Sequence, residues 1–176
     1  MSDRVGTSAP GLSFSKMHGL GNDFVLIDQR GCPAVLSPAI VRLIGDRHRG
    51  VGFDQLAEIL PDDDADARLV FWNADGTTAG ACGNATRCIA DVLMTETAET
   101  ALTLRTDRGL LACRRRADRM VEVDMGAVMT DWSDVPLAEP METLELPIDG
   151  RPAACSMGNP HCTFFVDNAD AAPLEE

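Results

Sequence analysis

Leu69-Val70-Phe71-Trp72-Asn73-Ala74-Asp75-Gly76-Thr77-Thr78-Ala79-Gly80-Ala81-Cys82-Gly83-Asn84-Ala85-Thr86-Arg87-Cys88 is the stretch whose reading decides the fold. An apolar run leads into a glycine-bearing segment, after which Ile89, Val92, Leu93 and Met94 recur at near-helical spacing. The pattern predicts a strand, a turn, and a helix that starts at the corner Cys82-Gly83-Asn84. The first N–H groups of a helix lack internal partners and carry the positive end of its dipole, so they attract anions and favour a thiolate. A cysteine so placed is expected to titrate below its usual value of about 8.5, within roughly 3.5–7.5. Cys82 is therefore a candidate acid/base or nucleophile; the competing reading is a small buried hydrophobe.

Working outward, residues 14–17 and 24–28 read as short strands joined by a loop over 18–23, rich in glycine and asparagine. Ser37-Pro38 is an N-cap followed by proline at the first helical position, and Ile40, Val41, Leu43 and Ile44 supply that helix with a buried stripe. Its end is expected in Gly50-Val51-Gly52 rather than at Gly45. Residues 55–60 and 68–72 are expected as strands around an acidic turn, and 101–106, 110–114 and 120–124 as an antiparallel meander after the central helix. From 125 to 142 periodicity is lost. Strands are expected again near 143–148, 153–157 and 162–166, with 167–176 approaching another helix. The organisation is α+β: a flexible tail over 1–11, a first lobe over 12–125, and a crossover with the first strands of a second lobe over 126–176.

A hydrophobic content of 45% and a charged content of 24% fit a globular chain, with no apolar run long enough to span a bilayer. Acidic side chains outnumber basic ones 28 to 15, and the net charge of −13 argues against broad attraction to nucleic acid or an anionic membrane. The one basic cluster, Arg114-Arg115-Arg116, reads as a solvated hairpin end. No apolar signal-peptide core precedes the first strand, so Cys32, Cys82, Cys88, Cys113, Cys155 and Cys162 are read as free thiols in a reducing cytoplasm. There is no Cys-x-x-Cys pair, and Cys82 and Cys88 fall more than one helical turn apart, so no metal is expected.

Asn22, Gln55, Asn73 and Asn159 sit at expected strand ends or in glycine-rich loops. A side-chain amide offers donors and an acceptor, so several together can hold a zwitterion without adding net charge. Taken singly, each is equally an Asx-turn or solvated loop residue. In Gly158-Asn159-Pro160-His161 the proline restrains Asn159 to an extended backbone, and the histidine is a group able to set the protonation of a nearby thiol.

Together these segments resemble the diaminopimelate epimerase family, cofactor-independent enzymes of lysine and peptidoglycan precursor synthesis. The matching motifs are F-S-K-M-H-G-L-G-N-D-F (14–24), G-V-G-F-D-Q (50–55), F-W-N-A-D-G (71–76), A-C-G-N-A-T-R-C (81–88) and S-M-G-N-P-H-C (156–162), in the family's order. The resemblance implies two pseudo-symmetric α+β lobes, each a curved, mostly antiparallel sheet around a central helix, with the site between them. It implies a two-base reaction, in which one cysteine thiolate removes the α-proton of diaminopimelate and a second thiol on the opposite face returns one. Cys82 matches the first thiol. Asn22, Gln55, Asn73 and Asn159 match substrate-holding positions, Gly83 and Asn84 match the backbone that receives substrate at the helix start, and His161 matches a residue that tunes cysteine acidity. The implied partner is a small amino-acid substrate, with no cofactor and, for a full-length enzyme, a homodimer.

Two small departures are Ala85 and Thr86, where the family commonly has glycine and alanine. The larger one is length. The family's second catalytic cysteine and a Glu-Arg pair are expected beyond the sequence in hand, so the chain reads as an N-terminal part that is inactive alone. The alternatives are a non-catalytic half-site that binds ligand, and an isomerase of the same fold acting on another substrate.

Overall fold

Strands β1 (Ser15–Gly19) and β2 (Asn22–Asp28) form a hairpin, and β2 buries four consecutive apolar side chains, Phe24, Val25, Leu26 and Ile27. Neighbouring strand residues point to opposite faces, so such a run needs cover on both sides. The computed structural model, which describes residues 12–33 and 35–172, supplies that cover with two helices. Helix α1 (Pro38–Gly45) packs with Val25, Ile27, Phe53 and Leu56 on the outer face. Strands β3 (Gln55–Leu60), β4 (Ala67–Asn73) and β5 (Thr78–Ala79) then lead into helix α2 (Gly83–Thr97), which occupies the inner face against Phe24, Leu26, Ala57, Ile59, Leu69 and Phe71.

The meander β6 (Ala101–Thr106), β7 (Gly109–Arg115) and β8 (Val121–Val123) completes an eight-stranded sheet of order β1-β2-β3-β4-β6-β7-β8, with β5 paired to β4. Pairings are antiparallel except β2 with β3 and β4 with β6. Helix α2 touches β1 and β2 at one side of the sheet and β6, β7 and β8 at the other, so the sheet curls around it. This is the α+β lobe expected from the sequence. Its inward side chains, Ala85, Cys88, Ile89, Ala90, Leu93 and Met94, are all buried.

Several local expectations are corrected. The loop over 18–23 is a two-residue turn at Leu20 (φ 56) and Gly21 (φ 89), the pair of positive angles that matches the twist of a hairpin, so both strands reach further than expected. Helix α1 ends at Gly45 rather than in the later glycine segment, and its buried seam is narrow: Val41 is buried and Ile44 partly so, while Ile40 and Leu43 face solvent. Arg114 and Arg115 lie in β7; Arg115 is not a solvated end but an anchor, paired with Asp91 at 2.9 Å and bonded to Thr95 Oγ1 at 3.0 Å on α2.

The chain divides into two compact units, Met1–Asp124 and Met125–Glu176. In the second, β9 (Ala153–Ser156) and β10 (Pro160–Thr163) make a hairpin, and Val135, Leu146 and Ala154 form a small core with Leu137 and Met141. The strand expected over 143–148 is absent: Pro147 has no N–H, and the chain there turns through bonds from Ile148 N–H to Leu146 O and from Arg151 N–H to Ile148 O. The strand expected over 162–166 begins and ends earlier, because the turn at Gly158 (φ 97) delivers the chain into pairing at Pro160. Of the expected helix approach over 167–176, Ala169–Ala171 forms one short 3-10 turn and 173–176 lie outside the described residues, as does the tail over 1–11.

Cys113, in β7, is 2% exposed, and burial pushes its thiol from near 9 up to about 12. A thiol raised in the folded state contributes stability that is present below its unfolded pKa and lost as pH climbs towards the folded value. The chain has no tyrosine, and Cys82 and Cys88, also raised by burial, titrate alike in wild type and a Cys113 variant, so comparing the two isolates the Cys113 contribution. Unfolding free energy is expected to fall by up to roughly 4 kcal/mol between pH 9 and 12, at about 1.4 kcal/mol per pKa unit. Urea titrations of wild type and Cys113→Val across that range check it, the variant showing the shallower decline.

Candidate active site

Strands β2 and β3 run parallel and begin at Asn22 and Gln55, while β4 runs against β3 and ends at Asn73. All three amides therefore stand at one end of the sheet. By alternation Asn22 shares the inner face with Phe24 and Leu26, Gln55 with Ala57 and Ile59, and Asn73 with Phe71. Gln55 Nε2 donates to Asn73 Oδ1 at 3.4 Å, and Asn73 Nδ2 donates to Thr77 Oγ1 at 3.0 Å. Thr77 Oγ1 in turn donates to Asp75 Oδ1 at 2.6 Å. The acceptor end of this relay is a carboxylate, which fixes the direction in which each group donates.

Helix α2 starts at the same end. A Cβ on Gly19, the β1 residue opposite Asn22, would lie 3.4 Å from Asn84 Cβ, so the first turn of α2 abuts the β1–β2 hairpin. Cys82 is the N-cap, with an extended backbone and with its Sγ accepting from Ala85 N–H at 3.4 Å. A thiol thus takes the place usually held by a serine or aspartate oxygen. Thr86 N–H and Oγ1 both donate to Cys82 O, at 2.9 and 2.8 Å, so the threonine where the family commonly has alanine ties the cap to the helix. Arg87 donates to Asn84 Oδ1 and holds that amide. Asn22, Gln55, Asn73, Cys82, Gly83 and Asn84 are all half-buried.

The charge state of Cys82 departs from expectation. Burial pushes its thiol up, against the lowering effects of the Ala85 and Asn84 N–H groups and the Arg87 charge. The helix start acts in the expected direction, but desolvation of the anion outweighs it. Cys88, one and a half turns on, is likewise raised by burial, and its Sγ contacts His18 O at 3.7 Å.

The remaining two sequence-selected residues belong to the second unit. Asn159 lies in the β9–β10 turn and His161 in exposed β10, where His161 Nε2 and Asn159 Oδ1 are 3.2 Å apart. Sequence reasoning missed Arg87, Thr77 and Asp75. The spacing Asn84 to Arg87, one helical turn, and the run Asp75-Gly76-Thr77 carried the signal.

The sequence profile of diaminopimelate epimerase matches residues 14–130. The chain belongs to the diaminopimelate epimerase family. It is 53% identical over 167 residues to the diaminopimelate epimerase of Acidiphilium cryptum, an alignment covering 92% of this chain and 60% of that one. With the diaminopimelate epimerase of Phenylobacterium zucineum it shares 43% over 178 residues, covering 97% and 64%. The chain thus spans about 60% of the length of these curated relatives. Among solved structures, a hydroxyproline epimerase from Agrobacterium vitis superposes with a TM-score of 0.58 at 15% identity, over 85% of this chain and 50% of that one, which speaks for the fold alone.

A raised Cys82 thiol predicts slow alkylation by iodoacetamide at pH 7, accelerating as pH rises past the range of a free thiol. Arg87→Ala should move the profile further up, since the arginine favours the thiolate. Peptide-resolved labelling rates between pH 6 and 10 check both, and fast labelling independent of pH would refute the raised value.

Proposed function

We propose that the chain carries one face of a cofactor-independent epimerase site, at which Cys82 moves the α-proton of diaminopimelate in the exchange of LL and meso forms. The observation that supports this best is the convergence of Asn22, Gln55 and Asn73 on the first turn of α2, where a cysteine is the cap. Removing an α-proton without a cofactor leaves a carbanion that only fixed dipoles can stabilise. The N–H groups of the α2 start, at Gly83 and Asn84, are suited to the α-carboxylate, and the amides to the rest of the zwitterion.

A substrate ammonium group beside Cys82 would favour the thiolate and offset the effect of burial, so the base forms when substrate is present. Inversion needs a second proton donor on the opposite face. Among the described residues no other cysteine caps a helix: Cys32 lies exposed between β2 and α1, Cys88 inside α2, Cys113 in β7, Cys155 in β9 and Cys162 in β10. By family likeness Asn159 holds substrate and His161 adjusts cysteine acidity. The chain by itself supplies one base of the pair and does not complete epimerisation.

Incubated with LL-diaminopimelate, the chain should form no meso isomer above background, followed by chromatographic separation of the two forms; conversion that Cys82→Ser abolishes would overturn the inactivity. Calorimetric titration should show saturable diaminopimelate binding, weakened about tenfold or more, roughly 1.4 kcal/mol, by Asn73→Ala. Absence of binding by the wild-type chain would overturn the half-site itself.

A further inference from the structure

Asn22 and Gln55 each adjoin a carboxylate, Asp23 and Asp54, and the two carboxylates are interlocked. Asp23 N–H donates to Asp54 Oδ2 at 3.0 Å, while Asp54 N–H donates to Asp23 Oδ1 at 2.9 Å and to Asp23 O at 3.0 Å. Two neighbouring anions repel unless cations lie between them, and here they do. Arg47 Nη2 donates to Asp23 Oδ1 at 2.8 Å and to Asp54 Oδ1 at 2.7 Å, and Arg47 Nη1 to Asp23 Oδ2 at 3.1 Å. Lys16, the only lysine of the chain, donates to Asp23 Oδ2 at 2.5 Å and to Gly52 O. Gly52 has φ +71, and a Cβ there would lie 2.6 Å from Arg47 Cγ, so glycine leaves the arginine room to cross the loop.

These groups sit outside the hydrophobic core, with side chains 23–54% exposed, where ion pairs add little to global stability. Their location gives them another effect. The parallel β2–β3 pairing starts at Phe24 and Gln55, and strand ends fray first. The amides that face the site stand at the open end of this parallel pairing, and the interlock closes the ladder immediately beside them.

We propose that the Asp23–Asp54 pair, bridged by Arg47 and with Lys16 tying Asp23 to the Gly52 carbonyl, is a positioning clamp that fixes where Asn22 and Gln55 present their amides to the substrate. This rests on the reading of those amides as diaminopimelate contacts. Arg47 and Lys16 also hold the Asp23 carboxyl well below the usual carboxylate range, so Asp23 stays charged at neutral pH.

The test uses nitrogen-15 relaxation of the Asn22 and Gln55 side-chain amides, with diaminopimelate titrations, on wild type, Arg47→Met, Asp54→Asn and Arg47→Lys. Arg47→Met and Asp54→Asn should lower both order parameters into the flexible range, below about 0.6, and weaken diaminopimelate binding about tenfold or more. The backbone N–H groups of Leu104 and Leu111, on distant strands, should keep their order parameters, and Arg47→Lys should restore part of both effects. Unchanged Asn22 and Gln55 order parameters, or lowered ones with full affinity, would overturn the clamp while leaving the functional reading intact. Loss of order at Leu104 and Leu111 as well would overturn it in favour of a general structural role. Failure of the wild-type chain to bind overturns the functional reading, and the clamp's role with it.

Discussion

Everything in the first unit depends on burying α2 inside a curled sheet. Helix α2, 15 residues long, buries its inward face along its length, and its backbone N–H groups can meet solvent and substrate only at its start, where helical pairing leaves them over. Its inward positions include Ala85, Cys88 and Ala90, small enough for strands on both sides to approach, while Ile89, Leu93 and Met94 fill the space between. Enclosure fixes the helix axis against the strands, and with it the place where the unpaired N–H groups emerge. The starts of β2 and β3 and the end of β4 lie there because β2 and β3 are parallel. One departure from an otherwise mostly antiparallel sheet therefore brings two strand starts, and two amides, to the helix start.

The same enclosure explains why the Cys82 thiol is pushed up rather than down. A helix start favours an anion by up to about 2 kcal/mol in partly buried settings, while removing an anion from water costs more when nothing neutralises it. Here the opposing contributions are explicit: two N–H groups and Arg87 against burial. A site in this balance responds to whatever charge arrives next. For the proposed reaction, burial would keep the thiol protonated and less oxidisable when the site is empty, and a substrate cation would turn it into a base.

Much of this was legible in the residues. The α2 start at Cys82, the proline-led α1 and the β6–β8 meander follow from local rules of capping and alternation, and those rules hold where an element is buried on a defined face. The errors fall where tertiary context decides. Leu43 has helical spacing but no neighbour to cover it, because the sheet beneath α1 already meets Val41, Ile44 and Phe53. The strand expected over 143–148 met Pro147 and a turn. Of the site, the amides and the thiol could be picked out because amides at strand ends and a cysteine between glycines are unusual. Arg47, Asp54 and Lys16 could not: each is an ordinary surface charge until pairing sets β2 against β3.

Folding and chemistry place different demands on this chain. The first unit has its own core on both faces of the sheet, so it satisfies the demand of burial with residues that all precede 125. Inversion at carbon satisfies a different demand: a proton leaves one face and another arrives at the opposite face. A single cap thiol reaches one face only, and returning the proton from there regenerates the starting centre. Groups gathered at one end of one sheet can hold a substrate and loosen its proton, but the geometry of inversion requires a donor from outside that sheet.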